Sequence, residues 1–137
     1  MSELSYDAGK DYLRVRNPSL QQVESCIQAL DNETRRGISL SLPSGTLTVG
    51  GGNKGRVTVY YRNKTAEGAE MRWGKLLDAN DMARIDEIEI AISNGEADVM
   101  PYYQTVSKET ALEVALHFLV NDTLPPRLAW KGQMDGF

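Results

Sequence analysis

The sequence predicts an α+β fold in which an antiparallel β-sheet meander carries two helices packed on one face. Three patterns point to it. Two stretches repeat apolar residues at the helical period, several shorter ones alternate apolar and polar residues, and turn-forming residues separate the alternating stretches. Runs of strands with helices set apart from them are the signature of an antiparallel sheet whose helices cover one side.

Met1-Ser2-Glu3-Leu4-Ser5 is polar, and residues 1–10 are expected to be flexible. Asp11 to Arg16 predicts a short strand, with imperfect alternation through Tyr12-Leu13-Arg14-Val15. Asn17-Pro18-Ser19 reads as a helix start, and Leu20, Val23, Ile27 and Leu30 then recur at helical spacing as far as Asp31. From Gly37 to Leu42 the apolar Ile38, Leu40 and Leu42 alternate with Ser39 and Ser41, as in a strand buried on one face. Pro43-Ser44-Gly45 turns the chain. Thr46 to Val49 and Arg56 to Arg62 predict two strands of a hairpin joined through Gly50-Gly51-Gly52, because glycine reaches positive φ without steric cost.

Glu70 to Trp73 alternates again, with Met71 and Trp73 on one side. Between Ile85 and Ile92, Ile88, Ile90 and Ile92 point one way and Glu87, Glu89 and Ala91 the other. Ser93-Asn94-Gly95 then supplies a hairpin turn into Ala97 to Met100. Ser107 and Thr110 open a second helix, whose apolar stripe is Ala111, Leu112, Ala115, Phe118 and Leu119 and whose end falls near Asn121. Pro125 and Pro126 cannot donate to a ladder, so Arg127 to Lys131 reads as a short edge strand with Trp130 turned to the core.

At 137 residues the chain is read as one domain, long enough to bury about two thirds of its unfolded surface. Cys26 is the single cysteine and forms no intramolecular disulfide. With no secretory signal and no apolar run of membrane-spanning length, the chain reads as a cytoplasmic protein without a membrane partner. A net charge of −4 argues against direct nucleic-acid binding, which depends on neutralising phosphates. The acidity is local. Residues 78–98 contain seven carboxylates against a single Arg84, a net of minus six, so the rest of the chain carries plus two.

The chemistry-bearing residues point away from catalysis. His117 and Cys26, the only residues of their kinds, fall on different helices, His117 on a polar stripe and Cys26 beside an apolar one. One His and one Cys make no zinc ligand set, and the carboxylates lack the spacing and central glycine of a calcium loop, so no metal or other cofactor is assigned. Gly50 to Arg56 lacks the Gly-Lys-Ser/Thr of a phosphate loop and joins two strands rather than a strand and a helix. Glu87 and Glu89, facing Glu96 and Asp98 across the predicted hairpin, would set like charges side by side, an arrangement that a cationic partner relieves. Tyr102 and Tyr103, at the exit from that hairpin, are of the type that anchors interfaces.

The last third runs from the strand ending at Pro101 through Tyr102-Tyr103 into a helix opened by Ser107-Lys108-Glu109-Thr110-Ala111 and ending His117-Phe118. Leu124-Pro125-Pro126-Arg127-Leu128-Ala129-Trp130 follows it. With the N-terminal helix, the glycine hairpin and Val57-Thr58-Val59-Tyr60-Tyr61, this order over residues 11–131 resembles family one of the immunity proteins that guard bacteria against their own polymorphic toxins. The helix here ends in Asn121-Asp122, where many members of that family carry glycine. The resemblance implies a non-enzymatic protein whose partner is a cognate toxin, in some cases a nucleic-acid deaminase, blocked at its active site or substrate groove. Joined to the charge pattern, it makes Asp86, Glu87, Glu89, Glu96, Asp98, Tyr102 and Tyr103 the expected toxin contacts, with Asn53 to Arg56 as a second surface. The alternatives are a small-ligand-binding or regulatory module with a cavity between sheet and helices, and an enzyme built on a carboxylate pair.

Overall fold

The computed structural model describes residues 2–8, 11–63, 72–91 and 97–132. The strands are β1 (Glu3–Ala8), β2 (Asp11–Arg16), β3 (Gly37–Leu42), β4 (Gly45–Asn53), β5 (Arg56–Asn63), β6 (Trp73–Leu76), β7 (Glu87–Ala91), β8 (Ala97–Pro101), β9 (Val106–Ser107) and β10 (Trp130–Gly132). The helices are α1 (Leu20–Gln28) and α2 (Lys108–Asn121). The main sheet is antiparallel throughout and runs β10-β6-β5-β4-β3-β1-β2, with β9 added beside β5. Strands β7 and β8 form a separate two-stranded ribbon.

The fold is α+β, as the pattern predicts, and its core forms where the helices meet the sheet. Ile38, Leu40 and Leu42 of β3, Leu47 and Val49 of β4, and Val57, Val59 and Tyr61 of β5 all turn to that side, against Val23 and Ile27 of α1 and Phe118 of α2. The Phe118 and Tyr61 rings meet edge to face, their centroids 5.6 Å apart. Alternate residues therefore share the opposite face, where Ser39 and Thr48, and Ser41 and Thr46, pair their hydroxyls at 3.3 and 3.0 Å.

Both helices begin on a serine. Ser19 and Gln22 form a reciprocal capping box at α1, and Ser107 accepts from the Thr110 N–H at α2. Helix α1 stops at Gln28, yet Leu30 remains buried beyond it, whereas Leu20, expected on the apolar stripe, is exposed. Helix α2 ends on Asp122, which takes the left-handed conformation (φ 55°) and accepts the Ser44 N–H at 3.1 Å, clamping the β3–β4 turn.

Three expectations are corrected. Residues 3–8 of the segment expected to be flexible form β1, which pairs with β2 on one side and β3 on the other. Leu4 is fully buried, and the buried Asp7 accepts from Arg36 Nε at 2.9 Å, so a polar-looking terminus carries an inward alternation. Second, Gly50 to Gly52 lie within β4, and the β4–β5 turn is Lys54-Gly55, both at positive φ as a type I′ turn requires. Gly51 and Gly52 serve close approach: a Cβ would lie 2.8 Å from Ile90 Cγ2 at Gly51 and 2.5 Å from the Leu30 carbonyl oxygen at Gly52. Third, the strand near Trp73 runs forward through Leu76, while Glu70 and Met71 lie outside the described residues.

The loop from α1 to β3 is organised by Asp31. Its Oδ1 accepts from the N–H groups of Glu33, Thr34 and Arg35, and its Oδ2 from the Thr34 hydroxyl. The hydrogen bonds from the Arg35 N–H and the Thr34 hydroxyl lead in holding this carboxyl well below the usual carboxylate range.

Two outcomes are expected. Leu4→Ala is expected to cost about 2–5 kcal/mol in urea unfolding, whereas a frayed terminus would leave the midpoint unchanged. Because the folded carboxyl of Asp31 titrates below its unfolded value, its stabilisation is complete above the unfolded pKa and is lost as pH falls through the folded one. Asp31→Ala should therefore be less stable than the parent at neutral pH, with the gap closing in strong acid when both unfold reversibly.

Candidate functional site

The β7–β8 ribbon lies over the sheet face that the helices leave open. Ile90 packs against Gly51, and the Ala91 carbonyl oxygen would lie 3.6 Å from a Cβ at Gly50. Two side chains fasten β7 there: Asn53 donates to the Glu89 carbonyl at 2.8 Å, and Asn32 accepts the Ala91 N–H at 2.7 Å.

The ribbon's register decides which side chains share a face. Glu87 pairs with Pro101, Ile88 with Met100, Glu89 with Val99 and Ile90 with Asp98. Directly paired residues project to the same side, so Ile90, Asp98 and Met100 turn toward the sheet while Glu87, Glu89 and Val99 turn outward. Asp98 therefore does not face Glu87 or Glu89, contrary to expectation. Glu96 and the Ser93-Asn94-Gly95 turn lie outside the described residues.

The remaining expected contacts divide. Glu87 and Glu89 are exposed and have no salt-bridge partner among the described residues. Asp86 is exposed but paired with Arg84 at 2.9 Å, and the hydrogen bond from that guanidinium draws its pKa down. Tyr102 is no outward anchor, because the Arg56 and Arg84 guanidiniums sit over its ring at 4.1 and 3.6 Å from the centroid. Tyr103 is half-buried, with its N–H on the Arg84 carbonyl and its carbonyl accepting the Asp78 N–H. Exposed apolar residues that the pattern did not single out accompany the carboxylates: Val99 is 53% exposed, Ile85 75% and Met82 47%.

Arg56 is not a loop contact either. Its buried guanidinium donates to Thr105 Oγ1 at 3.0 Å, the Thr105 carbonyl at 2.7 Å and Asp78 Oδ2 at 2.8 Å. The planar fork thus joins the start of β5, the segment after β6 and the approach to β9. Of the second surface, Lys54 and Gly55 are exposed and Asn53 is engaged with β7.

Between the ribbon and the sheet is a half-open cavity of about 370 Å³, lined by Thr48, Gly50, Thr58, Tyr60, Lys75 and Met100, with Asp98 also on its wall. Tyr60 stacks on Trp73 at 5.8 Å. The Lys75 ammonium is 3.4 Å from Gln104 Oε1 and 3.9 Å from Met100 Sδ. Burial pushes its pKa down, Asp98 draws it back up, and Lys131, directly opposite on β10, pushes it down again. Thr58 Oγ1 is buried without a hydrogen-bond partner among the described residues. A cleft of about 420 Å³ also lies between sheet and helix, beside Tyr6, Ser25, Cys26 and Ala29, but its buried Asp7 is already paired with Arg36.

His117 is half-buried on α2, and its carbonyl accepts from Asn121 Nδ2. Burial raises the Cys26 thiol pKa, with Arg35 opposing, which disfavours the nucleophilic thiolate. Among the described residues no group of three or more His, Cys, Asp or Glu is placed to hold a metal ion. Nor is any helix among the described residues long and apolar enough to cross a membrane. No protein-family model matches the chain, and no curated protein matches it.

Sequence reasoning missed Lys75, Thr58 and Val99. Ala97-Asp98-Val99-Met100 carries the alternation that places Val99 outward, but the turn-dependent register was needed to set it beside Glu89. Arg56→Lys keeps the charge but loses the forked geometry; it should destabilise the fold by about 1.5–3 kcal/mol and speed amide exchange across residues 84–91. Native-like exchange there would show that Arg56 does not support the ribbon.

Proposed function

We propose that this chain is a cytoplasmic immunity protein that neutralises a cognate bacterial toxin by direct binding. The observation that carries the reading is the outer face of the ribbon, where the exposed Val99 lies across from Glu89, with Glu87 two residues away on the same face. Neither carboxylate is neutralised by a salt bridge among the described residues. An apolar centre beside uncompensated carboxylates suits a basic protein surface: the charges accelerate encounter, and desolvation of the apolar contact slows departure.

The partner that fits this chemistry is an enzyme with a cationic nucleic-acid groove, such as a deaminase. The carboxylates would take the place of phosphates and block the groove, with no catalysis by this chain. Asp86, Tyr102 and Tyr103 then act behind the contact surface, fixing the ribbon through Arg84 and the backbone.

Co-expression with the toxin domain encoded beside this chain should give a stable complex and restore growth of intoxicated cells; no complex and no rescue would reject the pairing. Within the complex, Glu87→Lys with Glu89→Lys should slow association about tenfold or more at low salt and flatten its salt dependence, with the melting temperature nearly unchanged. Val99→Asp should act mainly on dissociation. Unaltered kinetics in both variants would place the contact elsewhere.

A further inference from the structure

The cavity under the ribbon combines features that a closed structural core would not retain. Thr58 continues the hydroxyl-bearing face formed by the Ser39–Thr48 and Ser41–Thr46 pairs, so the sheet side of the cavity carries polar side chains. Lys75 enters the same space. Its ammonium has three donors, but its neighbours among the described residues are an amide oxygen at the limit of hydrogen-bond distance and a weakly accepting thioether. No carboxylate lies within 4.0 Å of it among the described residues. Lys131 stands directly opposite on β10, a like-charge pairing that favours an anion nearby.

We propose that this cavity binds an organic monocarboxylate with a compact apolar body. Lys75 Nζ donates to the carboxylate, while the Tyr60 ring and the Met100 thioether receive the body. A cavity of about 370 Å³ falls at the small end of the range for ligand sites. Asp98 sets the charge of the ligand: it lies close enough to Lys75 to influence its ionisation, and it disfavours a dianion such as phosphate more than a single carboxylate. Burial lowers the Lys75 pKa and also strengthens a charge-assisted hydrogen bond from this ammonium to an anion.

This site is independent of the toxin-binding reading, because Lys75 and Thr58 lie on the sheet and Glu87 and Glu89 face away from it. The carboxylate could belong to a free metabolite or to the C-terminus of a peptide, and the two are separable by experiment. Amide spectra of the full chain would be titrated with benzoate, with neutral benzamide, and with a short peptide ending in leucine beside its C-terminal amide.

Saturable shifts centred on Gly50, Thr58 and Lys75 are expected with benzoate and not with benzamide. Lys75→Met should weaken benzoate binding about tenfold or more. The peptide acid binding at the same residues would assign the source to a chain terminus; benzoate binding alone would assign it to a small molecule. Equal binding of benzoate and benzamide, no shift at these residues, or undiminished affinity in folded Lys75→Met would overturn the proposal. Should Lys75→Met fail to fold, Lys75→Gln decides in its place, with undiminished benzoate affinity overturning it.

Discussion

The placement of the ribbon depends on one buried guanidinium. Arg56 sits at the first residue of β5, where the sheet is rigid, and reaches Asp78, both hydrogen-bonding groups of Thr105, and the face of Tyr102. Burying a cation is unfavourable unless it is paired and hydrogen-bonded, and here the Thr105 hydroxyl accepts from Nε while the Thr105 carbonyl and the Asp78 carboxylate accept from Nη2. Tyr102 passes the support to Arg84, and Arg84 to Asp86, the residue before β7. The acids of this stretch thus serve different ends: Asp78 and Asp86 hold structure, Asp98 turns to the cavity, and Glu87 and Glu89 face water.

The open cavity follows from the same arrangement combined with glycine. Gly51 and Gly52 let β7 and the end of α1 approach the sheet more closely than a Cβ would allow, which draws one end of the ribbon down. Farther along, the sheet carries threonine and tyrosine rather than large aliphatic side chains, so space remains beneath Met100. Tight contact at Ile90 and loose contact at Met100 are two ends of one packing solution.

Much of the architecture was legible because it is written in short-range alternation. Ile38-Ser39-Leu40-Ser41-Leu42 and Val57-Thr58-Val59 assign their faces without knowledge of their neighbours, and both serine caps were visible as local signals. What was not legible depends on distant partners. Ser2, Glu3 and Ser5 made β1 look like a solvated terminus, since nothing nearby shows that Asp7 turns inward to meet Arg36, 29 residues later. Tyr102 looked like an anchor because the two cations that cover it come from other segments. Asp98 was assigned to the wrong face because the pairing register, which strand composition does not reveal, decides which residues share a side.

The sheet ends in β2 on one side and β10 on the other. Strand β2 presents Arg14 and Arg16 beside its exposed Tyr12 and Leu13, and β10 is only three residues long and finishes on Gly132 at φ 131°. Repulsion at one border and brevity at the other deny a passing chain the long, flat, uncharged template on which cross-β stacking grows. A protein so guarded can accumulate in excess of whatever it binds without recruiting copies of itself strand by strand.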